Sequence, residues 1–118
     1  MPVPSVIRDR VRREIERDLN EWIPRIVAAM QPERVILFGS AARGEAGEGS
    51  DIDLAVIAPS EADFFARIGQ VMDLYQGNRE INVLVYTPEE WQRLLDSGRR
   101  FIQRIANEGV VVYQRGQG

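Results

Sequence analysis

A four-residue apolar run ends directly at a glycine and a serine, and this junction restricts the fold more than any other part of the 118-residue chain. Residues 35–38 are typical of a short strand buried on both faces. Gly39 and Ser40 follow without a polar linker, and ten residues then separate Ser40 from Asp51. That length lets the chain turn and return as a neighbouring strand, Ile52–Ile57. The sequence therefore predicts a strand, a turn, a loop and a second strand.

Two acidic side chains stand where the second strand begins. Asp51 and Asp53 are two positions apart, so in a strand their carboxylates point to the same face. Such carboxylates repel each other unless a positive group lies between them, and an oxygen-preferring cation such as Mg²⁺ satisfies both. Gly39 allows a phosphate to approach the backbone, and the Ser40 hydroxyl can face the same anion. These residue types predict a phosphate cradle beside a metal-binding pair.

Helical patterns precede and follow this unit. Apolar residues recur at helical spacing from residue 5 to residue 30, although Pro24 is expected to end or kink that helix. Ser60 is expected to begin another helix, which Gly77 stops. The residues predicted to form its buried face are Phe64, Phe65, Ile68, Val71, Met72 and Tyr75.

The last third of the chain alternates strands and helices. Ile81–Tyr86 is the predicted third strand, and residues 87–90 carry a cap, a proline and a glutamate that are typical of a helix start. Another helix should carry Phe101, Ile102 and Ile105, and residues 110–113 should pair as a last strand. Trp22 and Trp91 are interpreted as packing residues rather than as platforms for base stacking.

Composition excludes several functions. The chain has no histidine, cysteine or lysine, which excludes serine–histidine hydrolases, zinc enzymes and a covalent lysine nucleophile. Its net charge of −3 makes nucleic acid an unfavoured partner. The sequence has neither a run of about 20 apolar residues nor a signal-peptide profile, so we expect a cytoplasmic protein that does not enter a membrane.

The motif Gly-Ser-Ala-Ala-Arg-Gly at residues 39–44, followed by Ser-Asp-Ile-Asp-Leu at residues 50–54, is similar to the signature of the DNA polymerase beta-like nucleotidyltransferase superfamily. It looks most like the minimal nucleotidyltransferases. The resemblance implies an α/β (α+β) fold, with helices packed on a small mixed sheet of about four strands. We expect one domain over residues 1–118, with a helical segment at 5–30 and a catalytic core at 34–113.

The resemblance also implies roles for individual residues. Gly39 and Ser40 would hold the triphosphate of ATP, and Asp51 and Asp53 would hold Mg²⁺, as two ions if the protein is active. Arg43 matches the motif as a secondary nucleotide-binding residue, although pairing with a nearby carboxylate such as Glu45 is an equal alternative. Ser50 is interpreted as a structural residue of the strand entry.

The third metal-binding carboxylate of this family is the point where the chain departs from the pattern. Asn82 stands at that position, and its amide oxygen can ligate a metal but carries no charge. We therefore expect weaker metal binding and slower transfer. Glu80 lies two residues earlier on the same face and is an alternative third ligand if the strand start bends toward the site.

Two functions follow from the resemblance. In the first, the chain transfers a nucleoside monophosphate, most simply AMP, from a triphosphate to a hydroxyl of a helical HEPN-type toxin and acts as its antitoxin. In the second, the chain neutralises that partner by binding alone. A small-molecule nucleotidyltransferase like the aminoglycoside-modifying enzymes is a weaker alternative, because those enzymes carry an added substrate domain. A homo-oligomer is also possible, since an open sheet edge would suit dimerisation.

Overall fold

Four strands form one mixed sheet in the part of the chain that the computed structural model describes, residues 5–116. The strands are β1 (Arg34–Phe38), β2 (Ile52–Ile57), β3 (Ile81–Tyr86) and β4 (Val110–Gln114). The helices are α1 (Ser5–Met30), α2 (Gly39–Ala42), α3 (Phe64–Met72), α4 (Pro88–Asp96) and α5 (Arg100–Glu108). The architecture confirms the predicted mixed α/β class with about four strands.

The strand order is β3-β2-β1-β4. β1 is antiparallel to β2 and to β4, whereas β2 and β3 are parallel. β2 therefore lies inside the sheet, and its residues from Leu54 to Ile57 are buried. Parallel pairing brings the amino-terminal ends of β2 and β3 to the same edge, and this edge carries Asp53 directly beside Asn82.

The sheet separates two hydrophobic clusters, because alternate strand residues face opposite sides. α1 and α3 cover one face, and α4 and α5 cover the other. Trp22 is buried in the first cluster and Trp91 in the second, which confirms their interpretation as packing residues. The second cluster is made of the buried residues Ile36, Ala55, Ile57, Trp91, Ile102 and Ile105. Asp51 and Asp53 alternate in step with Ala55, so they belong to the α4 and α5 face.

α1 continues through Pro24, so of the two predicted outcomes, an end or a kink, the end is wrong. Trp22 and Ile26, on either side of the proline, are both fully buried in the cluster between α1 and the sheet, so packing supports helix on both sides of it. Pro24 itself is exposed, and so is Asn20, whose carbonyl loses its helical donor. Water can satisfy that carbonyl, which lowers the cost of an interior proline.

α3 is shorter than predicted, and two of the side chains predicted to form its buried face are exposed. It begins at Phe64 under a cap from Asp63, whose carboxylate accepts a hydrogen bond from the Ala66 amide at 2.8 Å, rather than at Ser60. It ends at Met72, before Gly77. Phe65 is 81% exposed and Met72 40% exposed, so their predicted burial is wrong. A nine-residue helix has a narrow buried face, and this segment carries more apolar residues than that face holds.

The two carboxyl-terminal helices follow the sequence signals at their ends. Thr87 and Glu90 form the predicted capping box at the start of α4. α5 buries Ile102 and Ile105, whereas Phe101 is 52% exposed. Among the described helices, none is both long enough and apolar enough to cross a bilayer.

Candidate functional site

Three polar side chains converge at the edge where β2 and β3 begin. Asp51 directly precedes β2, and Asp53 is paired in register with Asn82 on β3. The Asn82 Nδ2 donates to Asp51 Oδ2 at 3.0 Å and to Asp53 Oδ1 at 2.8 Å. One amide nitrogen thus bridges both carboxylates, which places the two aspartates and the asparagine around a single point.

Gly39 brings the turn after β1 against Asp53. Phe38 pairs with Asp53 across the antiparallel strands, so the next residue lies beside that carboxylate. Gly39 has φ +75, a left-handed conformation that L side chains rarely adopt, and a Cβ there would overlap the Asp53 carboxylate. Ser40 follows within α2 and is half-buried. The glycine therefore permits a close approach that no other residue type allows.

The other predicted residues have different surroundings. Arg43 is exposed, and its Nε donates to Glu45 Oε2 at 3.1 Å, which is one of the two alternatives that the sequence left open. It also lines the cavity that contains Gly39. Ser50 accepts a hydrogen bond from the Gly47 amide at 2.8 Å, which confirms its structural role in the loop.

Glu80 lies just before β3 with an exposed side chain, and its carbonyl accepts from the Ile52 amide at 3.0 Å. Within residues 5–116, no group of three or more carboxylate, histidine or cysteine side chains is arranged to hold a metal ion. The converging set therefore consists of two carboxylates and one neutral amide.

Arg79 is a positioning residue that the sequence did not reveal. Its Nη1 donates to the carbonyls of Glu48 and Ser50 at 3.0 and 3.1 Å, and its Nη2 donates to Glu14 Oε2 on α1 at 2.9 Å. This hydrogen bond lowers the pKa of Glu14 from its ordinary value. Because Ser50 directly precedes Asp51, Arg79 fixes the loop that delivers the first aspartate. No local pattern marks an arginine for such non-local contacts.

A cavity of about 190 Å³ adjoins the converging set on the side of α5. Gly39 and Asp53 form part of its wall, and Phe101 and Arg104 of α5 form another part. The Phe101 ring contacts Phe38 edge-to-face, with ring centroids 6.0 Å apart. The sequence places Phe101 on a helix but gives no sign that it lies beside the site.

The glycine turn after β1 and the two carboxylates at the start of β2 lie within a segment that matches a known family. Residues 21–117 match the family described as polymerase beta, nucleotidyltransferase. The chain belongs to the polymerase beta nucleotidyltransferase family. The predicted resemblance is thus confirmed at the level of this family, and the converging residues occupy the part of the nucleotidyltransferase domain where β1 and β2 meet.

Two solved structures are similar to this nucleotidyltransferase domain. A candidate nucleotidyltransferase from Sulfolobus solfataricus has a TM-score of 0.70 and 22% identity, with 94% of this chain and 90% of that chain covered. A toxin-antitoxin structure with AMP-PNP has a TM-score of 0.50 and 22% identity, with 90% of this chain and 75% of that chain covered. These identities show a shared fold. The sequence matches none of the curated proteins with which it was compared.

Proposed function

We propose that this chain binds ATP with Mg²⁺ and transfers AMP to a hydroxyl group of a partner protein. The observation that supports the proposal is the meeting of Asp51, Asp53 and Asn82 at one point beside the Gly39 turn. Phosphate can approach the backbone at Gly39, where a side chain would overlap Asp53. Membership of a nucleotidyltransferase family makes a nucleoside triphosphate the expected anion.

The residues present fit a divalent cation with oxygen preference. Asp51 and Asp53 offer two carboxylates bridged by the neutral amide of Asn82, whose own oxygen can also ligate a cation. When bound, Mg²⁺, as two ions in an active enzyme, would neutralise the triphosphate and align the attacking and leaving oxygens. Asp51 and Asp53 would hold it.

Transfer of AMP involves orientation of the triphosphate, exchange of one phosphorus–oxygen bond for another, and removal of the hydroxyl proton. Gly39 and Ser40 orient the triphosphate so that its α-phosphorus faces the acceptor hydroxyl. The acceptor oxygen then forms a bond to the α-phosphorus while the bond from that phosphorus to pyrophosphate breaks. The hydroxyl proton leaves to solvent or to a carboxylate, since the amide of Asn82 is not a base. Glu80, exposed just before β3, is the alternative proton acceptor.

We propose a HEPN-type helical toxin as the partner, with this chain as its antitoxin. The similarity to a toxin-antitoxin structure with AMP-PNP supports both a protein partner and an adenine nucleotide. The net charge of −3 gives no attraction to a polynucleotide acceptor, which favours a protein.

A second candidate function is neutralisation of the partner by binding, with little or no transfer. Asn82 favours it, because this site lacks a third carboxylate in the described residues. Losing one charged ligand weakens the hold on the metal and removes a base. In this version, nucleotide is a ligand that stabilises the antitoxin rather than a substrate.

Transfer is tested by incubating the chain and the product of its neighbouring gene with ATP labelled either at the α-phosphate or at the γ-phosphate. AMP transfer predicts that the α-label enters the partner and that the γ-label does not. An Asp51→Asn/Asp53→Asn variant is the matched control, because it removes both charges at constant side-chain size. Incorporation of the γ-label, or incorporation that survives in the variant, contradicts the proposal.

Native mass spectrometry of the same pair distinguishes neutralisation by binding from AMP transfer. It predicts a stable complex that also forms with the Asp51→Asn/Asp53→Asn variant and suppresses the partner's activity without incorporated label. Suppression that requires both aspartates and the α-label excludes it.

A further inference from the structure

The cavity beside Asp53 is lined by an aromatic side chain that remains half exposed. α5 is anchored by Ile102 and Ile105, which are 3% and 1% exposed. Phe101 precedes them but remains 52% exposed, with Phe38 as its ring partner. More than half of a large apolar side chain therefore faces solvent at this point.

The direction of Phe101 relates it to the candidate site. Phe101, Arg104 and Glu108 recur at helical spacing and line the same cavity as Gly39 and Asp53. The cavity thus joins an open aromatic ring to the glycine turn and a carboxylate. Arg43 and Arg104 add two guanidinium groups to its wall. Aromatic surface next to cationic and phosphate-accessible groups is the chemistry that receives a nucleotide.

We propose that the α5 surface formed by Phe101 and Arg104 is the nucleoside subsite of this domain. The base stacks on the Phe101 ring, and the Arg104 guanidinium contacts the phosphate chain that runs toward Gly39. The inference rests on the proposed binding of ATP and adds the residues that hold its base.

Phe65 provides a contrast within the same chain. It is 81% exposed and also contacts a phenylalanine ring, that of Phe64, at 5.6 Å between centroids. It belongs to α3, on the opposite side of the sheet from α5, and is absent from the cavity lining. An aromatic ring that is merely exposed should behave like Phe65, whereas a stacking platform should not.

Isothermal titration calorimetry with two ligands tests the subsite. ATP carries a base, and inorganic tripolyphosphate does not, so each is titrated into the full chain in the presence of Mg²⁺. Phe101→Ala should weaken ATP binding by about 5- to 150-fold, as expected for loss of one stacking contact. Its affinity for tripolyphosphate should stay within about twofold of the parent. Phe65→Ala is the matched control and should change neither.

Two further variants separate stacking from packing. Phe101→Tyr keeps an aromatic face and should retain ATP affinity, whereas Phe101→Leu keeps apolar volume and should lose it. Arg104→Gln should weaken both ligands, because its contact is with phosphate. Circular dichroism spectra and melting temperatures close to those of the parent establish that each variant is folded.

Equal parental affinity for ATP and tripolyphosphate would overturn the subsite while leaving the proposed nucleotide site intact. Unchanged ATP binding in Phe101→Ala or in Phe101→Leu would overturn it as well. Loss of the partner complex in Phe101→Ala, with ATP binding intact, would assign the ring to protein docking instead. A parent chain that binds neither ligand contradicts both the subsite and the proposed function.

Discussion

Asn82 donates from its amide nitrogen to Asp53 Oδ1 over 2.8 Å, across two parallel strands in register. The same nitrogen reaches Asp51 at 3.0 Å, so the amide occupies the space between two carboxylates. This contact stabilises the pair in the absence of a cation, because it supplies partial positive charge where the carboxylates would otherwise repel each other.

Replacing the Asn82 amide by a carboxylate should destabilise the site without a cation and strengthen its binding of a cation. In Asn82→Asp, three carboxylates meet, so we expect a lower melting temperature in EDTA and a larger rise on addition of Mg²⁺ or Mn²⁺. The affinity for the cation should increase by about tenfold, which corresponds to roughly 1.4 kcal/mol. Thermal unfolding with and without metal measures both effects. If Asn82→Asp gains no more from metal than the parent chain, the side chain does not face the cation.

Gly39→Ala should cost both stability and nucleotide binding. The residue has φ +75, and its new Cβ would overlap the Asp53 carboxylate. Gly44→Ala is a matched control, because Gly44 has φ +72 but no atom within 4 Å of the added Cβ. The control should lose about 1–2 kcal/mol, the cost of a left-handed conformation alone. Urea denaturation should show a larger loss for Gly39→Ala, and calorimetry should show loss of ATP binding only there. Equal losses for the two variants would refute the close approach.

The ion pair between Arg67 and Glu90 should make part of the stability depend on pH. Arg67 is buried and donates to Glu90 Oε1 at 2.6 Å, and this hydrogen bond lowers the pKa of Glu90 below its ordinary value near 4.5. A lowered folded-state pKa means that the contribution is present above about pH 4.5 and is lost as the pH falls through the folded value.

Glu90→Gln isolates this contribution, because glutamine keeps the size and capping ability of the side chain. It should destabilise the protein by about 1–3 kcal/mol at neutral pH, since a buried guanidinium loses its charged acceptor. At a second, acidic pH below the ordinary value near 4.5, the difference from the parent should shrink as Glu90 becomes protonated through its lowered folded-state pKa. Urea unfolding at the two pH values measures it. A difference that is constant with pH would show that the pair does not titrate with folding.

Arg79→Met should free the loop before Asp51. The side chain is 12% exposed and links the loop carbonyls of Glu48 and Ser50 to Glu14 on α1. We expect faster cleavage after Glu45 and Glu48 by a glutamate-specific protease, together with weaker ATP binding. Arg79→Lys should be intermediate, because one ammonium cannot make all three contacts. Parental cleavage rates in Arg79→Met would show that other contacts hold the loop.

The sequence was most informative where local signals agree. β2 and β3 have the predicted bounds, Ile52–Ile57 and Ile81–Tyr86, because short apolar runs bounded by turn residues admit few alternatives. The sequence also predicted the Thr87 capping box correctly. The convergence of Asp51 and Asp53 with Asn82 followed from strand alternation and the family resemblance together.

What escaped the sequence depends on contacts between distant segments. Continuity of α1 through Pro24 requires that Trp22 and Ile26 both pack on the sheet. Parallel pairing of β2 with β3, and the burial of Arg67, are set by partners elsewhere in the chain. Phe65 and Phe101 fit helical periodicity, yet periodicity cannot tell which edge of a short helix remains open.

The most direct test of the account is calorimetric titration of ATP into the chain with Mg²⁺ and then with EDTA. Both proposed functions include a bound nucleotide, and both require Asp51 and Asp53 to hold the cation that accompanies that nucleotide. We predict saturable binding that requires Mg²⁺ and disappears in the Asp51→Asn/Asp53→Asn variant, which should remain folded. Binding that persists in EDTA or in that variant would contradict the claim that this pair of aspartates forms the nucleotide site.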